Sequence, residues 1–378
     1  MKHHRDLPPT IRSLSVYPQV AQRDLGVLVI GSGYWGRNYL RVFGELPGTR
    51  VVAACDLSLE RLELVASEFP DIKLVDRLDN ALRIPDIDCA VVATPANTHA
   101  KVAAQCLEAG LHVLVEKPMT TDSGEADGLI ELAAQNERTL MVGHTFVYNA
   151  AVRKVREYME AGALGDVYYM YARRTGLGPI RTDVNALWDL ASHDVSIFNY
   201  LLGTEPDWVS AIGSCVLGSE REDVGFVSVG YPGGLVAHIH VSWADPNKTR
   251  ELVVVGSDKQ IVFDDLNARE RVRLFSRGVT LVSPNNPSYG EFLFQLRDGD
   301  IVSPLIAASE PLKEECKHFV EAVCTGQPPL TGGVEGRAAV RVMEAIDRSI
   351  AVRGAPVSVH EEAAVDAHAS DANTYAVR

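Results

Sequence analysis

Apolar residues recur along this chain in two rhythms. Over the first third, short apolar runs at 27–30, 51–55, 72–75, 89–94, 111–115 and 139–143 read as strands. Between them lie stretches with helical spacing, at 58–69, at 98–109 before Gly110, and after Asp122. Such alternation with short loops predicts a parallel sheet wrapped by helices on both faces. After His144 the rhythm changes. Helices are expected at about 150–161, ended by Gly162, and at about 186–202, and then strands with period-two alternation follow. These include 224–231 and 235–243 around the turn Pro232-Gly233-Gly234, then 251–255 before 260–264, so an antiparallel sheet is expected. Helices at about 312–323 and 335–352 close the pattern.

The junction after the first strand carries chemistry. It reads Gly31-Ser32-Gly33-Tyr34-Trp35-Gly36, a GxGxxG turn opening an amphipathic helix. The first glycine permits the tight turn, the second lets backbone approach a pyrophosphate, and the third allows helix and strand to pack closely. Helix N-terminal amides then attract the phosphates. The second strand ends at Asp56, twenty residues past Gly36, where a dinucleotide fold places an acceptor for the adenosine ribose 2'-hydroxyl. A carboxylate there repels a 2'-phosphate, which favours NAD over NADP. Arg61, on the following helix, reads as solvated surface.

Two further strand ends should face the same crevice, because ligands of open parallel sheets bind beyond the carboxyl ends of strands. One is Thr94-Pro95-Ala96-Asn97-Thr98-His99, in which either the loop meets the cofactor or Asn97 or Thr98 merely caps the next helix with His99 on the surface. The other is Glu116-Lys117-Pro118, an ammonium at the rim of the crevice on a proline-stiffened loop. In the second half, Asp189 and His193 are four residues apart on a helical segment and share a face. They form either a surface pair or a base whose imidazole is oriented and made more basic by the carboxylate. His144 and Tyr148 are further candidates for the crevice wall. His238 and His240 point to one face of a strand, but no third ligand accompanies them, so no metal site is expected. No GxSxG elbow, HExxH or P-loop lysine is present.

Composition narrows the setting. The 378 residues suffice for two domains without disulfide staples, and 46% hydrophobic with 23% charged residues describes an ordinary globular chain. A net charge of −14 argues against nucleic-acid partners. The six cysteines contain no CxxC pair and fall mostly in apolar segments, which suggests reduced thiols and the cytoplasm. No apolar run reaches the length of a membrane span, and the leader lacks the apolar core of a signal peptide. The expected division is an arm over 1–25, a dinucleotide-binding domain over 26–146, a substrate and assembly domain over 147–354, and a flexible tail over 355–378.

Taken together, GSGYWG, TPANTHA, EKP, VGHTFVYNAAVRKVRE and WDLASHD resemble the Gfo/Idh/MocA oxidoreductase family over roughly residues 26–354. The resemblance implies an α/β Rossmann domain plus an α+β domain with an open, mainly antiparallel sheet, assembled into dimers or tetramers through that sheet. It implies NAD as cofactor, bound by Gly31, Gly33, Tyr34, Trp35, Gly36, Asp56, Thr94, Pro95, Asn97, His99, Glu116 and Lys117. It assigns Lys117 to the reacting oxygen, and Asp189 and His193 to substrate binding and acid–base work. A narrower similarity, in GLGPIRTDVNALWDLASHDVSI, is to the branch that oxidises C3 of UDP-linked N-acetylhexosamines and their uronates. There Arg173, Arg174 and Arg181, just before the helical segment, are either diphosphate partners or surface charges. The alternatives are an inositol or polyol dehydrogenase, a nucleotide-sugar 3-ketoreductase, or a non-catalytic NAD-binding regulator.

Overall fold

The computed structural model describes residues 23–360 apart from 182, 219 and 282–293. Most of the expected arm and tail lies outside the described residues. Their inner ends are fixed: Arg23 clasps Asp88 through two bonds of 2.9 and 2.7 Å, and Val357–Ser358 forms a strand.

The first domain contains six parallel strands: β1 (Leu25–Ile30), β2 (Thr49–Cys55), β3 (Lys73–Val75), β4 (Cys89–Val92), β5 (His112–Glu116) and β6 (Leu140–Gly143). Their order is β3-β2-β1-β4-β5-β6, so the chain reverses direction across the sheet between β1 and β4. A ligand crevice belongs at that reversal. The crossovers carry helices α1 (Tyr34–Glu45), α2 (Leu59–Glu68), α3 (Leu78–Ala81), α4 (His99–Glu108) and α5 (Ser123–Gln135). Being covered on both faces, the central strands are apolar throughout; Leu28, Val29, Ala90 and Val91 have no exposed surface.

The second domain begins with α6 (Ala150–Glu160), β7 (Val167–Thr175) and, after a π-helical turn at Leu187–Ala191, α7 (Ser192–Leu202). Strands β8 (Trp208–Ser214), β9 (Val224–Gly230), β10 (Val236–Ser242), β11 (Thr249–Gly256), β12 (Gln260–Asp264) and β13 (Val272–Phe275) follow. A separate hairpin comprises β14 (Gly278–Leu281) and β15 (Phe294–Arg297), and β16 (Ile301–Val302) rejoins the main sheet. The last elements are α8 (Pro311–Thr325), α9 (Gly333–Ala351) and β17 (Val357–Ser358). The nine-stranded sheet runs β16-β13-β12-β11-β7-β10-β9-β8-β17 and is antiparallel except where β10 lies parallel to β7. Along β7 the period of two is plain. Met170, Ala172 and Arg174 are buried on the helix side, while Tyr169 and Arg173 are exposed on the other face.

Two boundaries differ from those expected. Residues 357–358 pair with β8, so the expected tail starts as part of the sheet. More consequentially, the last two helices return to the first domain. Phe319 of α8 meets Phe43 of α1 edge to face with centroids 6.4 Å apart, inside a core that also holds Val29 and Met141. Thr331, just before α9, accepts from Val142 N at 2.7 Å. Apolar spacing predicted these helices but not which core they complete, since periodicity carries no partner information.

Candidate active site

The glycine turn divides its three glycines between packing and vacancy. A Cβ on Gly36 would lie 1.7 Å from Gly31 O, and one on Gly31, whose φ is +92°, would lie 2.4 Å from Ala93 O. A Cβ on Gly33 would meet nothing within 4 Å. Gly33 is also the N-cap of α1 and offers no side chain to its amides, while Ser32 Oγ is buried without a partner. Unpaired donors around an open space are what a diphosphate requires. Asp56 secures the turn from β2: Oδ2 accepts from Ser32 N at 2.6 Å and Oδ1 from Ser58 N at 2.9 Å. Arg61 is exposed as expected, yet it reaches to 3.6 Å from Asp56 Oδ2. Tyr34 and Trp35 stand exposed at the mouth, packed edge to face.

Beyond β4, Pro95 and Asn97 are exposed and Thr94 half-buried at the crevice. His99 departs from both readings of its loop. It is 1% exposed, with Nδ1 2.7 Å from Pro118 O and Nε2 2.7 Å from Thr94 O. The ring therefore straps the loop after β4 to the loop after β5 and has no free edge for a cofactor. Neither Asn97 nor Thr98 caps α4 with its side chain. Glu116 is likewise turned inward: Oε1 accepts from Tyr39 Oη at 2.9 Å and Oε2 from Lys117 N at 3.0 Å. Its carboxylate braces the loop from within the core and does not face the crevice.

Lys117, 7% exposed, crosses to the second domain. Its Nζ donates to Asp189 O at 2.7 Å and to Asp189 Oδ1 at 3.2 Å. Arg181 Nη1 reaches the same Oδ1 at 3.2 Å and also pairs with Asp183. Burial pushes the Lys117 ammonium below its ordinary value, Asp189 opposes that, and Arg181 adds to it. Asp189 is raised by burial but pulled net downward by Lys117 and Arg181, so it stays ionised.

His193 sits at the start of α7 with Nδ1 buried and unpartnered. Burial first, then the charges of Lys117 and Arg174, hold its pKa well below the ordinary histidine value. The expected carboxylate–imidazole pair is therefore replaced by a different one. Asp189 serves the lysine, and His193 is made less basic, remaining a neutral acceptor. Asp189 lies in the π-helical turn Leu187–Ala191, and its carboxylate is already taken by Lys117 and Arg181. Orientation of His193 comes instead from Phe146, whose ring meets it edge to face at 4.9 Å. Arg174 also lies over that ring, 4.3 Å from its centroid, locked to Asp194 by bonds of 2.8 and 3.2 Å.

The remaining candidates scatter. Tyr148 is core, bonded to Thr331 Oγ1 at 3.0 Å, and does not line the crevice. Arg173 lies on the outer sheet face with Thr249, opposite the face that packs α7, and Arg174 is fully engaged by Asp194. Arg181 reaches the cleft, but both of its carboxylate partners are already in place. His144 is buried with both ring nitrogens unpartnered, its pKa lowered to about 4 by burial and then by Lys117. It lines a cavity of about 580 Å³, shared with Ser196, Asn199 and Thr331, which does not contain Lys117 or Asp189. His238 and His240 stack on Phe226. Phe146 and the Arg174–Asp194 pair were not foreseen; the period of two from Tyr169 to Arg174 was the signal that could have separated Arg174 from Arg173.

Residues 25–144 match the family described as an oxidoreductase family with an NAD-binding Rossmann fold, and 152–262 match the GFO/IDH/MocA C-terminal domain. The chain belongs to the Gfo/Idh/MocA oxidoreductase family. This Gfo/Idh/MocA chain is 28% identical to the UDP-N-acetylglucosamine 3-dehydrogenase of Acidithiobacillus ferrooxidans, over 84% of its own length and 96% of the relative's. It is 31% identical to an inositol 2-dehydrogenase of Rhodococcus erythropolis over 48% and 54% of the two chains. Among solved structures, a protein of gentamicin A biosynthesis in complex with NAD superposes with a TM-score of 0.75 at 26% identity, covering 90% of this chain and 98% of that one. As a Gfo/Idh/MocA member the protein is an NAD-binding oxidoreductase, and the glycine turn has the open space and free donors NAD needs. No helix among the described residues is long and apolar enough to cross a membrane.

Proposed function

We propose that the enzyme oxidises a sugar ring hydroxyl to a ketone, the hydroxyl being that at C3 of a UDP-linked N-acetylhexosamine. The observation that carries the chemistry is the meeting of Lys117, from the loop after β5, with Asp189 just ahead of α7, beside a neutral His193. His193 takes the hydroxyl proton, because a neutral imidazole with an unused nitrogen is an acceptor. The Lys117 ammonium stabilises the negative charge that grows on the substrate oxygen; Asp189 holds Lys117 in place and favours its charged form, and Arg181 fixes Asp189 from the other side. NAD, when bound, accepts the hydride; binding both reactants in one crevice is the work of the two domains.

The likeness to a UDP-N-acetylglucosamine 3-dehydrogenase over most of the chain supports the nucleotide sugar. One observation favours a free polyol instead. Of the three arginines considered for a diphosphate, Arg174 and Arg181 are committed to carboxylates and Arg173 faces away. Initial rates with NAD on UDP-N-acetylglucosamine and on myo-inositol separate these readings. Turnover on the nucleotide sugar should exceed that on inositol by on the order of tenfold or more; turnover on inositol alone would replace the nucleotide sugar with a polyol.

We also propose that the outer sheet face, with Tyr169, Ile212, Phe226 and Val236 exposed across neighbouring strands, joins a second copy of the chain. Sedimentation of wild type and Phe226→Asp tests this, and a monomeric wild type would exclude it.

A further inference from the structure

A buried acid cluster lies behind the lysine loop, outside any step written above. Tyr39 of α1 places its hydroxyl 2.9 Å from Glu116 Oε1 and 2.9 Å from Glu315 Oε1. Glu315 belongs to α8, and all three side chains are buried. A phenolic hydroxyl has one proton and can donate to only one carboxylate at a time. With both carboxylates ionised, the second 2.9 Å contact would set two oxygens together with no hydrogen between them.

Glu116 is the one suited to stay ionised. Burial raises its carboxyl too, but Lys117, the bonds from Tyr39 and Lys117 N, and Arg181 all oppose that rise, whereas nothing cationic among the described residues faces Glu315. Glu315 Oε2 is buried without a partner, and of its neighbours only Tyr39 and Thr145 favour the charged carboxylate. An ionised carboxylate left half unsatisfied in a core is costly, whereas a carboxylic acid supplies the missing hydrogen.

We propose that Glu315 is a protonated positioning residue that, through Tyr39 and Glu116, holds the loop bearing Lys117 in its reactive place. The proton chain runs from Glu315 to Tyr39 oxygen, from Tyr39 to Glu116, and the second oxygen of Glu116 receives the Lys117 amide. It ties α8, the dinucleotide helix α1 and the end of β5 at one point. Burial first, then Glu116, raises the Glu315 carboxyl to about 8, while Tyr39 and Thr145 oppose the rise. From α1 Tyr39 faces it, from β5 Glu116, and from the segment after β6 Thr145; its neighbour Cys316 stays a thiol, raised by burial and by Glu315 and Glu116. Because the folded value lies above the unfolded one, the neutral acid's contribution is complete below the ordinary glutamate value and is lost as pH rises to about 8.

The positioning role rests on Lys117 acting in catalysis, so its test is read mainly without substrate. The infrared spectrum of the protein should show a protonated-carboxyl band at pH 7 that vanishes at alkaline pH and is missing from Glu315→Gln. Hydrogen exchange of the Lys117 amide should lose about tenfold in protection in Glu315→Ala and recover it in Glu315→Gln, which keeps a donor. Turnover should fall in the alanine variant, return in the glutamine variant, and lose its decline toward alkaline pH there. A band that survives Glu315→Gln overturns the protonation, and unchanged Lys117 protection in Glu315→Ala overturns the positioning. If the sugar substrates give no turnover at all, the first two measurements still decide.

Discussion

The crevice has two walls made in opposite ways. Its glycine wall is backbone: amides at the start of α1, two glycines that no side chain could replace, and one aspartate gripping the turn. Its lysine wall is side chains from both domains, each fixed by a partner distant in sequence, such as Lys117 with Asp189 and Arg174 with Asp194. The first kind of site is written in spacing and the second in pairing. They should therefore fail differently when altered.

The sharpest way to break the comparison is Asp194→Ala. It leaves a buried guanidinium unpaired beneath Phe146 and should cost about 3–5 kcal/mol of folding stability, read from denaturant midpoints. A loss within experimental scatter would mean that Arg174 finds water and that the lysine wall is less interlocked than drawn. Next in size, Lys117→Ala should lower turnover by a factor on the order of a hundred or more with NAD affinity nearly intact. Equal turnover would remove the ammonium from the chemistry.

Asp56→Ala acts on the other wall and should weaken NAD binding by roughly tenfold, with turnover at saturating NAD close to wild type. Unchanged affinity by calorimetry would place the ribose elsewhere. The smallest expected effect is one of shape. Because His193 is held below its ordinary value by burial and neighbouring cations, it remains a base as pH falls below that of a free imidazole. The rate on the specificity-limited limb should then stay level from pH 7 to below about 6.5 and fall only further down. A fall centred at 6.5 would mean that the base is a solvated histidine.

The same contrast explains how much could be read before any coordinates. Alternation of apolar runs was enough for the parallel sheet, and GxGxxG with Asp56 was enough for the cradle, because local spacing dictates both. Lys117, Asp189 and His193 were visible as a set but their partnerships were not. Asp189 pairs with a lysine 72 residues away, and no period in the sequence announces such a contact. His99 and Glu116 look like crevice residues because they sit at strand ends, yet each has turned inward to brace a loop. Tyr148 and Arg173 failed for the simplest reason: neighbours along a chain face opposite ways, and only packing says which way is in.

The nineteen residues of α9 make a rod about 28 Å long. At its beginning Gly336 lies so close to Val142 that a Cβ would sit 2.5 Å from that side chain, and near its end Ser349 Oγ accepts from Ala211 N of the nine-stranded sheet at 2.8 Å. One stiff axle is thus seated in both halves of the molecule. A hinge of the kind that swings two lobes apart like a book has no free spine here. Any opening of the crevice by parting the two halves would have to bend this helix or lift it from one of its seats.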